Sequence, residues 1–164
     1  MKDGGPEGTE VALLRHAVAT LAYRGGKALR GAPPGFEGFR AAAGSRSAGE
    51  ILAHVGDLLD WAVSLCAGKQ VWKDSPSIAW KEGTDRFFDG LARLDARLSS
   101  AETTGHAAGK IFQGPIADAF THVGQISLLR RLAGAPVRGE NYFKAPIVAG
   151  RVGAEQGEPG FEFD

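Results

Sequence analysis

Apolar residues recur along the chain at intervals of three and four in four separate stretches, the period of a helix that buries one face. In the first, Val11, Leu14, Val18, Leu21 and Ala22 share a face, Thr9 can cap the start, and Gly25-Gly26 loosens the last turn. This predicts a helix over about 9–28. The second opens on Ser47-Ala48-Gly49-Glu50, a capping box in which side chain and main chain satisfy each other's free groups. Positions 51, 55, 58, 59, 62 and 65 then draw one apolar stripe, giving a helix over 47–67. The third spans 77–98, capped by Ser77, with Ile78, Phe87, Phe88, Leu91, Leu94 and Leu98 as its buried face. The fourth spans 115–133, from Gly114 as N-cap and Pro115 in the first turn to Arg130 and Arg131 at the negative end of the dipole. Gly134 is its left-handed stop, with Pro136 beyond.

Between these stretches the pattern fails. Residues 1–8 read as a loose lead-in and 30–46, with Pro33-Pro34-Gly35, as a long connection held down by Phe36 and Phe39. A second connection carries Trp72, and a third, 99–113, is small and polar until Phe112 anchors its end. Residues 135–164 are rich in Gly and Pro, an irregular tail fastened by Tyr142, Phe143, Ile147 and Val148 and frayed at GEPGFEFD. The expectation is an all-α fold in one domain over 1–164: a four-helix bundle, up-down-down-up or plain up-down, in which helices 2 and 4 can be neighbours.

Composition narrows the function. Nineteen basic residues balance nineteen acidic ones, so no general field draws the chain to nucleic acid or to a membrane surface. No apolar run is long enough to span a bilayer and the start is unlike a signal peptide, which places the protein in the cytoplasm. The single cysteine, Cys66, rules out an internal disulfide and sits in the apolar run WAVSLCAG, where a thiol packs as a small hydrophobe. Aromatic connections allow a homodimer, though no contiguous exposed stripe argues for one.

The chemistry-bearing residues are few. Asp118 and His122 stand four apart on helix 4, one turn apart on one face, and Gln125 continues the row. His54 lies on the edge of the helix 2 stripe, one turn from both Ile51 and Leu58. An inward imidazole needs a partner to offset its desolvation. Asp57 and Asp60 read as solvated charges, although Asp57 is near enough to His54 on the same helix to support it from outside, and the charges of helix 3, Arg86 among them, read as an ordinary outer face. His16 and His106 read as surface residues. His54, Asp118 and His122 can either converge on a metal ion or close a polar network with no ion at all.

Helix 2, GEILAHVGDLLDWA, and helix 4, THVGQISLLRRLAG, resemble the DinB-like (DinB/YfiT) superfamily of bacterial four-helix proteins, and the tail LRRLAGAPVRGENYFKAPIVAGRVG is similar to a subgroup of it. In that family a helix 2 histidine and an H-x-x-x-H pair on the last helix bind a divalent metal, commonly zinc or nickel. The resemblance implies His54 as the first ligand and His122 as the final one. The pair's earlier histidine falls on Asp118, a departure that makes the set two imidazoles and a carboxylate. Such a set also suits iron or manganese. The resemblance further implies a metal-dependent enzyme acting on a small molecule, by thiol-dependent transfer or by hydrolysis, with Gln125 supporting the ligands or orienting substrate. The alternatives are a non-catalytic binding or stress-response module with a degenerate polar site, and a thiol enzyme using Cys66.

Overall fold

In the computed structural model of the chain the described residues are 6–100 and 105–163. They form an all-α bundle of four long helices with three short helical segments and one small two-stranded sheet. Helix α1 is Pro6–Leu29, α2 is Ala48–Cys66, α3 is Trp80–Ser99, the short α4 is Ala108–Ile111, and α5 is Ala117–Leu132. A 3-10 turn, Phe36–Gly38, interrupts the first connection, and strands β1 (Gly139–Glu140) and β2 (Glu162–Phe163) pair antiparallel in the tail. Among the described residues no helix is long and apolar enough to cross a membrane.

Side-chain pairings fix the direction of each helix. Trp80 at the start of α3 donates to the carbonyl of Leu29 at the end of α1, and Arg15 meets Asp95 farther along, so α1 and α3 are antiparallel. Added Cβ atoms on Gly83 and Gly90 would meet Leu52 and Leu59, so α2 and α3 run parallel and approach closely where those glycines leave room. At the other edge Arg130, near the end of α5, donates to the carbonyls of Ala28 and Arg30 at the end of α1. The order is therefore up-down-down-up. Of the two arrangements the periodicity allowed, this one requires the α2–α3 connection to travel the length of the bundle. Residues 67–79 have a fully extended reach of about 43 Å, more than the length of α2, about 28 Å. They run back along α2: Val71 donates to Ser64, Ser75 to Asp57, and Ser77 ends beside Gly49.

Several expected boundaries move. Thr9 is not a cap, because α1 already begins at Pro6; the lead-in over 1–5 lies outside the described residues. Ser77 is still in the strap, and Ala79 is the residue before α3. The Ser47–Glu50 capping box is present as expected, the Ser47 hydroxyl accepting from the Glu50 N–H at 3.2 Å and the Glu50 carboxylate from the Ser47 N–H at 2.7 Å. The fourth helix does not start at Gly114-Pro115. Those residues lie inside a π turn, Phe112–Ile116, that joins α4 to α5, and α4 with the start of this turn replaces the end of the expected 99–113 loop. Proline has no N–H to give, and a wider turn accommodates it without ending the helix.

The charged face of α2 and α3 is likewise not simply solvated. Asp57 is buried and holds Arg86 at 2.7 Å rather than supporting His54, and Asp60 bridges Arg86 at 2.6 Å and Arg93. In the tail, Gly134 has the expected left-handed conformation, φ 76°. Tyr142 and Ile147 pack inward, but Phe143 is 98% exposed and Val148 is exposed. The fastening is polar: Lys27 of α1 bonds Glu140 and Glu162 at 2.8 Å each, and Tyr23 donates to Glu140 at 2.7 Å. The last residues, expected to fray, supply β2 up to Phe163.

Candidate metal centre

The face shared by α2 and α5 collects two of the chain's four imidazoles and one acid. The capping box sets the start of α2 and places His54 on the flank turned to α5. Because α5 runs antiparallel to α2, its first two turns pass His54, and they carry Asp118 and His122. The π turn before α5 sets which face those turns present, since a five-residue hydrogen-bond span rotates the following helix relative to an α register. Trp61 of α2 packs over Gly114 of this turn, where an added Cβ would lie 3.6 Å from the ring.

His54, Asp118 and His122 each offer a ligand atom, and the three atoms lie within 4.8 Å of one another. His54 Nε2 is 3.5 Å from Asp118 Oδ2. That is long for a strong hydrogen bond and close to the edge of a tetrahedron of ligands around zinc, about 3.4 Å for bonds of 2.0–2.2 Å. The two imidazole centroids are 4.7 Å apart at an angle of 58°. His122 Nδ1 lies 2.8 Å from the main-chain oxygen of Asp118. A carbonyl can only accept, so Nδ1 carries the proton and Nε2 keeps the lone pair a metal needs. The Thr121 hydroxyl donates to the same carbonyl at 2.8 Å and stands 3.3 Å from the Asp118 carboxylate. These three residues form a group able to hold a metal ion.

The surroundings favour that chemistry. The side chains of His54 and His122 are 18% and 12% exposed, and that of Asp118 is 45% exposed, so the group opens to solvent on the carboxylate side. Burial pushes the His54 pKa down, and the nearby His122 and Arg46 push it further, against the pull of Asp118. The ring is therefore neutral at pH 7, the form that ligates. The strap between α2 and α3 brings Trp72 edge-on to His54 at 5.6 Å and to Trp61 at 5.8 Å, an aromatic wall on one side of the group.

The other expected residues are placed less centrally. Gln125 is exposed and lines a groove beside His122 without a hydrogen bond to any of the three. His16 is exposed, His106 is half-buried, and neither joins the cluster. Cys66 is buried and burial raises its thiol pKa, as the apolar run around it implied. Trp72 and the groove were missed in the sequence. A tryptophan between Gly68 and Pro76 was the available signal, but the strap's direction decides what it covers.

No protein-family model, curated protein or solved structure matches this chain.

Proposed function

We propose that His54, Asp118 and His122 hold a divalent metal ion, zinc or nickel before iron or manganese, and that the chain is a DinB-like metal-dependent enzyme acting on a small molecule. The observation that carries this reading is the convergence of three ligand atoms from two helices within 4.8 Å, with one side open to solvent. Two imidazoles and a carboxylate leave one position free on a tetrahedral ion or three on an octahedral one. A bound divalent ion supplies Lewis acidity there, enough to favour a thiolate or to acidify water near neutral pH. This supports thiol-dependent transfer or hydrolysis as the reaction class. The chain's residues orient the centre: the Asp118 carbonyl holds His122 in one tautomer, Thr121 steadies the turn that carries both, and Trp72 limits water on the His54 side.

A second reading has its own support, since the Asp118 carboxylate lies near both rings and can serve them as a polar network without an ion. On that reading the protein is a non-catalytic binding or stress-response module. Elemental analysis of untagged protein, with melting curves before and after EDTA, separates the two. The metal reading expects one divalent ion per chain and a drop of about 5–10 °C on chelation, if the ion is present at about a hundred times its Kd. No stoichiometric ion and an unchanged melting temperature contradict it. The binding-module reading expects His54→Ala and His122→Ala to leave partner binding intact.

A further inference from the structure

Beside His122 a groove of ≈ 360 Å³ runs between the end of the first connection and α5. That is within the range of about 300–1,000 Å³ found for clefts that take small organic molecules. Its floor is apolar, with Ile51, Leu128 and Leu129, and Gln125 stands at its side. Among the described residues that line it, Arg46 is the one permanently charged group, and no carboxylate lines it. The neighbouring Arg40 is committed to Glu50 and to the Ser45 carbonyl, whereas Arg46 has no hydrogen bond or ion pair among the described residues. A lone guanidinium at the mouth of an apolar groove selects a planar anion, because its fork of N–H donors fits a carboxylate on two bonds.

We infer that this groove takes a small organic carboxylate, its acid group on Arg46 and its apolar body over Ile51, Leu128 and Leu129, so that its far end reaches His122. The inference names the substrate class of the metal centre and rests on that reading for its catalytic meaning, but the groove binds its ligand through residues that are not metal ligands. Arg46 is then a specificity-determining residue, and Gln125 is placed to donate to a second polar group on the same molecule.

The test uses hexanoate and its neutral counterpart hexanamide as probes of the full chain, read from the backbone amide shifts of Arg46, Ile51, Gln125 and Leu129 in metal-free protein. Saturable shifts with hexanoate, much weaker ones with hexanamide, and an affinity reduced about tenfold or more in Arg46→Ala are expected. Arg46→Lys should recover part of the loss. Equal binding of both probes, an Arg46→Ala affinity equal to wild type, or no shift with hexanoate overturns the inference. A parallel titration with cobalt(II), followed by its visible ligand-field bands, judges the metal centre separately. Protein that binds hexanoate through Arg46 but takes up no cobalt refutes the metal centre and upholds the anion groove. Protein that takes up cobalt but ignores hexanoate does the reverse.

Discussion

His122 Nδ1 lies 2.8 Å from the main-chain oxygen of Asp118, so the residue that offers the carboxylate also fixes the tautomer of the histidine one turn later. Main chain and side chain of one residue thus play two roles, and the roles can be separated by substitution. Asp118→Ala removes the carboxylate but keeps the carbonyl and the ring orientation. Zinc affinity should fall in Asp118→Ala, His54→Ala and His122→Ala by more than the roughly 10–100-fold that loss of a supporting contact costs. Thr121→Val, which removes only the hydroxyl on Asp118, should fall inside that range. Asp118→His, which restores a third imidazole, should still bind. Competition with a chromogenic chelator measures all five, and an unchanged affinity in the three alanine variants contradicts the ligand assignment.

The α2–α3 seam gives a pH dependence. Burial raises the Asp60 pKa, but the hydrogen bonds from Arg93 and Arg86 outweigh it and hold the carboxyl below its ordinary value. A carboxylate whose folded pKa is depressed binds fewer protons folded than unfolded between the two values. Its contribution is therefore complete above the unfolded pKa, about 3.9, and is lost as pH falls through the lower folded value. Melting temperature against pH should drop more steeply below about pH 4 in wild type than in Asp60→Asn. Parallel curves for the two would show that the pair contributes nothing.

The tail is held by charge inside the fold. Lys27 and Glu140 are both buried and paired at 2.8 Å; Lys27 also holds Glu162, so it is the loss of Lys27 that strands a charge, leaving buried Glu140 with the Tyr23 hydroxyl alone. Lys27→Met should cost about 3–5 kcal/mol and expose residues 135–163 to protease, while Phe143→Ala, at a site 98% exposed, should stay within about 0.5 kcal/mol. Urea unfolding and limited proteolysis check both.

How much of this could be read from the chain depends on the range of the interaction. Ser47 and Glu50 form their capping box within one turn, and Asp118 and His122 face the same way because they are four apart, so both were legible. Gly134 likewise signals its own backbone need. Gly114-Pro115 misled because it is a local start signal overridden by packing: α4 precedes it and the π turn that contains it carries the helix through. Asp57 and Arg86 look like solvated charges on their own helices, and only the parallel contact of α2 with α3 buries them. Trp72 reaches His54 because up-down-down-up order forces the strap past it, a consequence of topology that periodicity does not carry. Lys27 and Glu140 are farther apart still in sequence, and nothing near either one announces the other.

The thiol route has a direct check. Cys66 is buried and burial raises its pKa, so the native protein should react with iodoacetamide far more slowly than the protein in denaturant. Rapid alkylation of the native chain would return Cys66 to consideration as a nucleophile.

Diffraction data from crystals grown with zinc, collected on both sides of its absorption edge, test the metal centre most directly. The account predicts one anomalous peak between α2 and α5, about 2.0–2.2 Å from His54 Nε2, His122 Nε2 and an Asp118 carboxylate oxygen. A map with no peak there, the carboxylate instead hydrogen-bonded to both rings, contradicts it.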